Sequence, residues 1–182
     1  MTDYFALLGE ARRPWGDPEE LKEKYFARSR AAAPDADLNE GFRVLNDPKL
    51  RLHHLLILEG AELSAGRPVP PSVAELFWNT GTVLREVDRW LLKSAEATSA
   101  LSRALLSGER NKIAGELQAV EEQLHATYGA ALERARGIDD AKWRSDLAEL
   151  TRLHDEIAYL TRLREQVKEK QLRLSVEGDF SG

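Results

Sequence analysis

The chain has 182 residues, 42% of them apolar and 31% charged, with a formal net charge of −5. That is enough for one or two small cores, and the interspersed signs suit solvated helix faces better than a disordered tail. No basic stripe stands out, so the footprint of a nucleic-acid binder is missing, and the lack of cysteine excludes disulfides and Cys-held zinc or clusters within the chain.

Met1 to Gly9 carries neither a basic n-region nor a long apolar run, so no signal peptide is expected. No apolar run approaches the roughly 20 residues of a membrane span. A cytoplasmic location without membrane contact is the expectation. Asp3 to Leu8 predicts a short helix carrying Tyr4, Phe5, Leu7 and Leu8 and closed by Gly9. Asp17-Pro18 predicts a second start, with Asp17 as cap, proline at the first helical position and Glu20 completing a capping-box pattern. This helix runs to about Ala32 and stops before Pro34. Its acids Glu19, Glu20 and Glu23 lie early and its bases Arg28 and Arg30 late, as the helix dipole favours.

Asp37 reads as the start of a third helix with the stripe Leu38, Phe42 and Leu45. Asp47-Pro48 opens a fourth, through Leu58, ended by Gly60. All seven prolines lie at or before Pro71. The proline-rich stretch up to that point predicts a linker over 61–71, and the chain beyond is free to form long helices. Three apolar stripes follow: Val73 to Leu91, Ile113 to Tyr128, and Leu150 to Val167. Breaks are expected near Ser107-Gly108 and Gly137-Ile138. Nothing alternates with period two, so strands are not expected.

The first sixty residues resemble a J-domain. The strings LKEKYFARSRAAAPD (Leu21 to Asp35) and LNEGFRVLNDPKLR (Leu38 to Arg51) match its second and third helices, and DYFALLG (Asp3 to Gly9) resembles the first helix of HscB-type members. LFWNTGTVLREVD (Leu76 to Asp88) and HDEIAYLTRLREQVKEK (His154 to Lys170) are similar to the first and last helices of the HscB C-terminal bundle. Between those two matches the chain is longer than the family pattern by a few helical turns. The resemblance implies an all-α protein: a J-domain-like antiparallel hairpin with short flanking helices over 1–60, the 61–71 linker, and a three-helix antiparallel bundle of long helices over 72–182.

It also implies a co-chaperone of iron–sulfur cluster assembly, with a DnaK/HscA-type chaperone and a client protein, such as an iron–sulfur scaffold, as partners. The chaperone side would use Lys22, Lys24, Arg28, Arg30, Ala33, Pro34 and Asp35. The client side would use Phe77, Trp78, Gly81, Thr82 and Arg85 on the bundle's first helix and Tyr159 on its last. The chain departs from the family in three ways. The His-Pro-Asp motif reads Ala33-Pro34-Asp35, and alanine has no ring nitrogen to bond with. The loop after Asp35 is cut short. Arg28 stands where a core apolar residue is usual, with Phe26 as its expected substitute on a shifted helix face. Stimulation of the chaperone ATPase is therefore expected to be impaired.

Plainer readings stand beside these. The α-helical bases suit a solvated face, Asp35 a turn aspartate, and Phe77, Trp78 and Tyr159 core aromatics. A structural or oligomeric interaction module unrelated to iron–sulfur assembly is the alternative, and oligomeric state is left open. His53 and His54 point to different faces, and His125 and His154 read as lone residues. No phosphate loop, nucleophile elbow or acid–base set is present, so neither enzymatic activity nor a metal or other cofactor is expected.

Overall fold

The computed structural model describes residues 1–31, 36–63, 68–140 and 142–179, the last three of these by backbone alone. Seven α-helices form among the described residues: α1 (Tyr4–Leu8), α2 (Pro18–Ala31), α3 (Ala36–Asn46), α4 (Pro48–Leu58), α5 (Ala74–Glu96), α6 (Ala100–Arg136) and α7 (Leu147–Asp179). Single 3-10 turns precede α5 (Pro71–Val73) and α7 (Trp143–Asp146). The architecture is the expected all-α one. It gathers into two compact units, residues 1–68 with 130–158, and residues 69–129 with 159–182, so that α6 and α7 each contribute to both.

In the first unit, local chemistry sets the element ends. The Asp3 carboxylate accepts from the amides of Phe5 at 3.0 Å and Ala6 at 3.2 Å, and Gly9 closes α1 at φ 67°, in the left-handed region that glycine enters without cost. Asp17 caps α2 through the Glu19 amide at 2.8 Å, and Asp47 caps α4 through the Leu50 amide at 2.9 Å. α3 begins at Ala36, one residue before the start expected at Asp37, so Asp37 lies inside its first turn. α2 and α3 run antiparallel. Tyr25 stacks on Phe42 at 4.5 Å and donates from its hydroxyl to Asn39 at 2.7 Å, while Leu21 and Leu45 line one small cavity further along. Gly41 is buried against Tyr4 of α1; a Cβ there would sit 3.1 Å from the ring. The core holds Phe5, Leu8, Leu21, Leu45, Leu52, Leu55 and Leu56, with Trp143, Leu150 and Ile157 from the later segment.

In the second unit, the expected stripes are buried at Val87, Trp90, Leu91, Ile113, Leu117, Val120, Leu124, Leu160 and Val167, joined by Leu163 and Leu174. Tyr128 is half-buried and takes the Arg164 guanidinium 4.4 Å above its ring. The Trp90 indole donates to the Leu106 carbonyl at 2.9 Å, Lys93 pairs with Glu109 at 2.8 Å, and Lys170 pairs with Asp88.

The expected break near Ser107-Gly108 is wrong. α6 runs through it, and the chain turns at residues 97–99 instead. Ser99 Oγ accepts from the Ser102 amide at 3.0 Å while Ser102 Oγ accepts from the Ser99 amide at 3.2 Å, a reciprocal cap that sets the helix start, and one mid-helix glycine, at a cost of roughly 1 kcal/mol, does not end so long a helix. The break at Gly137 is present, but the connection to α7 spans residues 137–146 and includes a 3-10 turn, so it is not the tight turn expected.

Candidate chaperone and client surfaces

The position of α2 rests on a buried charge cluster. Glu10, 7% exposed, follows directly on the α1 cap, and Arg51, 2% exposed, enters from α4. Arg51 donates to Glu10 at 3.0 Å and to the carbonyls of Arg13 at 3.1 Å, Leu45 at 3.3 Å and Trp15 at 3.5 Å. Arg13 reaches the same carboxylate at 3.2 Å, and Lys24 of α2 bonds its other oxygen. Burial pushes the Glu10 carboxyl up, but hydrogen bonds and charge from Lys24 and Arg51 outweigh it and hold the group below the usual glutamate range. This cluster clamps the 10–16 loop between α1 and α2. The DPKLR string placed Arg51, but nothing in helical spacing announced its partners.

The α2 bases therefore differ in availability. Lys24 is committed to Glu10. Lys22 is exposed and sits 3.5 Å from Glu19 on its own helix. Arg28 is exposed beside Gly9, 3.2 Å from where a Cβ on that glycine would sit, and Arg30 bonds the Phe26 carbonyl at 3.2 Å. Phe26 does not substitute for an apolar residue at position 28. It is 48% exposed, because Leu21 and Tyr25 hold the helix in register and position 26 falls about 100° away from Tyr25. Ala33, Pro34 and Asp35 lie outside the described residues.

On α5, Phe77 and Trp78 meet edge to face at 5.6 Å. Phe77 is half-buried, and Trp78 is 66% exposed, so it is not a core aromatic. Thr82 back-bonds to the Trp78 carbonyl at 3.0 Å and accepts from Arg85 at 3.0 Å; Gly81 leaves room for that guanidinium, 3.4 Å from a would-be Cβ. These five residues share one stretch of α5. Tyr159 is half-buried on α7, with Arg162 5.8 Å above its ring. Arg89 and Leu92 continue the outer face of α5 and were not singled out from sequence, although they stand seven residues after Thr82 and Arg85.

His154 is not a lone residue. Its ring lies 5.3 Å from that of His53, and its Nδ1 is 3.1 Å from Asp155 Oδ1. A partner a hundred residues away leaves no trace in helical periodicity. His54 is buried against Phe5, and its Nε2 accepts from the Tyr4 amide at 3.2 Å. Burial pushes its pKa down, with His53 and Arg12 adding to the shift against the opposing charge of Asp3. His125 lines an open groove with Gln118, Glu121, Glu122 and Gln171. Among the described residues no group of three or more acids and histidines is placed to hold a metal ion, and no helix is long and apolar enough to cross a membrane.

No family model matches this chain, and no curated protein does. Among solved structures, the crystal structure of the human co-chaperone protein HscB matches with a TM-score of 0.51 and 16% identity, over 95% of this chain and 84% of that one. The chain has an HscB-like fold.

Proposed function

We propose that this protein is an HscB-like co-chaperone or adaptor that binds a client through its C-terminal helices and triggers a DnaK/HscA-type ATPase poorly or not at all. The observation that carries the reading is likeness to a co-chaperone along nearly the whole chain, in a sequence with alanine at position 33. The α2 surface supports the second half. With Lys24 held by Glu10, only Lys22, Arg28 and Arg30 are left for a weak charge-steered contact. On the client side, Phe77, Trp78, Gly81, Thr82, Arg85 and Tyr159 offer aromatic area with a polar and basic edge. An iron–sulfur scaffold is one client this reading admits; Thr82 and Arg85 standing where the family carries acids point to one with altered charge.

The test is a single-turnover ATPase assay with the chaperone of the same cell. The unmodified chain is expected to give little stimulation and Ala33→His more. Full stimulation by the unmodified chain would refute the loss of triggering. A second reading, a structural or oligomeric module, is favoured by one observation: Leu101 and Leu105 are both largely exposed on one face of α6. Sedimentation velocity on the full chain separates the two, since a purely monomeric species over the micromolar range counts against the module.

A further inference from the structure

α5 carries two seams. The inner one, Thr80-Leu84-Val87-Leu91, is spaced four, three and four, and faces the core. The outer one, Trp78-Thr82-Arg85-Arg89-Leu92, is spaced four, three, four and three, the pattern that packs one helix against another. All five outer residues are exposed, Trp78 at 66% and Leu92 at 71%. The two apolar anchors stand two heptads apart, about 21 Å along the helix. Between them lie Arg85 and Arg89, and neither pairs with a carboxylate among the described residues. Tryptophan and arginine are the residue types enriched at energetic centres of interfaces, and Leu92 adds exposed apolar area to them.

We infer that this outer seam docks an acidic amphipathic helix of a partner protein, with apolar side chains meeting Trp78 and Leu92 and carboxylates meeting Arg85 and Arg89. The inference rests on the docking role given above to the α5 face and specifies the chemistry of what binds there. Charge selects the occupant. A second copy of the chain, docked antiparallel about Arg85 so that each Trp78 meets the other copy's Leu92, would set Arg85 against its own counterpart, and like charges opposed across an interface are unfavourable. A polyanion such as nucleic acid is disfavoured because Glu75, Glu86, Asp88 and Glu96 lie on the same helix. A protein helix can instead place its carboxylates opposite the two arginines only, and Arg favours bidentate pairing with them.

The experiment uses the full chain, with p-benzoylphenylalanine at position 82, photolysed in the cells that make it. The cross-linked peptide is then sequenced. The expected product is a protein segment with at least two carboxylates within two helical turns of the attachment point. Arg85→Glu with Arg89→Glu lowers its yield at least tenfold, and Trp78→Ala does the same. If the double charge reversal leaves the yield unchanged while Trp78→Ala removes it, the acidic partner is overturned and the docking face stands. If neither changes it, or if yield does not exceed that of a probe at Lys112, both fall. Cross-links to nucleic acid, to lipid or to a second copy overturn the inference.

Discussion

Replacing Arg51 by methionine removes the charge and every side-chain donor while keeping an unbranched side chain in place. Arg51 makes four hydrogen bonds, one to the buried Glu10 carboxylate and three to carbonyls of the 10–16 loop and the α3 end. Breaking one partner of a buried ion pair typically costs about 3–5 kcal/mol, most of it from the charge left behind. Lys24 and Arg13 still reach Glu10, which places the expected loss near the lower end, about 3 kcal/mol. With an m-value of about 2 kcal/mol/M, that moves the urea midpoint of the unit containing α1–α4 down by roughly 1.5 M. The sign of the acid response changes as well. In the parent chain Glu10 is held below its ordinary value, so its contribution is intact above about pH 4.5 and is lost as pH falls through the lower folded value. Without Arg51 the burial that raises the group meets weaker opposition, and that acid-dependent loss shrinks. Urea curves of Arg51→Met, Glu10→Gln and the double variant at pH 7 and pH 4 test this. A loss under about 1 kcal/mol for Arg51→Met, or strictly additive effects in the double variant, would refute a buried, coupled pair.

Gly16→Ala places a methyl group on the pinned Arg51 guanidinium, and a loss of about 1–3 kcal/mol is expected in thermal or urea unfolding. Gly108→Ala acts in the opposite direction: a Cβ there meets nothing within 4 Å inside a continuous helix, so a gain of about 0.5–1 kcal/mol is expected, and a loss would restore the helix break. His54 has a folded pKa below its ordinary value of about 6.5, so the unfolded chain binds the proton first and stability falls as pH drops from about 6.5 toward the folded value. His54→Gln should flatten that part of a melting-temperature profile between pH 7 and pH 5 while leaving the carboxylate range below pH 4.5 in place.

Caps and stripes were legible because they are local. Asp3, Asp17 and Asp47 each announced a helix start two or three residues ahead of the amides they bond, and the apolar stripes of α6 and α7 marked buried faces at nearly every position. What the sequence concealed was long-range or competitive. Glycine at 108 looked like a stop because Ser-Gly is a common break signal, whereas the start that does exist is marked only by Ser99 and Ser102, a hydroxyl pair three residues apart. Position 26 was misjudged because one residue is 100° on a helix, and Tyr25 rather than Phe26 had already taken the inward place against Phe42. Nothing local in the sequence marks Glu10; its burial depends on Arg51, 41 residues later. Likewise, Trp78 could be assigned to core or surface only once Thr80, Val87 and Leu91 had claimed the inner seam of α5.

The chain's positive charge is divided by task. On α2 the cation nearest the core, Lys24, neutralises a carboxylate that the α1–α2 loop has buried, and it is therefore spent on holding the helix in place. Freeing it for a partner would leave Glu10 with one strong ion pair fewer, so any partner that used this ammonium group would weaken the fold. On α5 there is no such competition. The buried residues of α5, Thr80, Val87, Trp90 and Leu91, face the core, and Arg85 and Arg89 pair with no carboxylate among the described residues. A partner meeting α5 need not displace any intramolecular ion pair to engage them, whereas one meeting Lys24 must. On the proposed reading, the cost of engaging a partner therefore falls on α2 and not on α5.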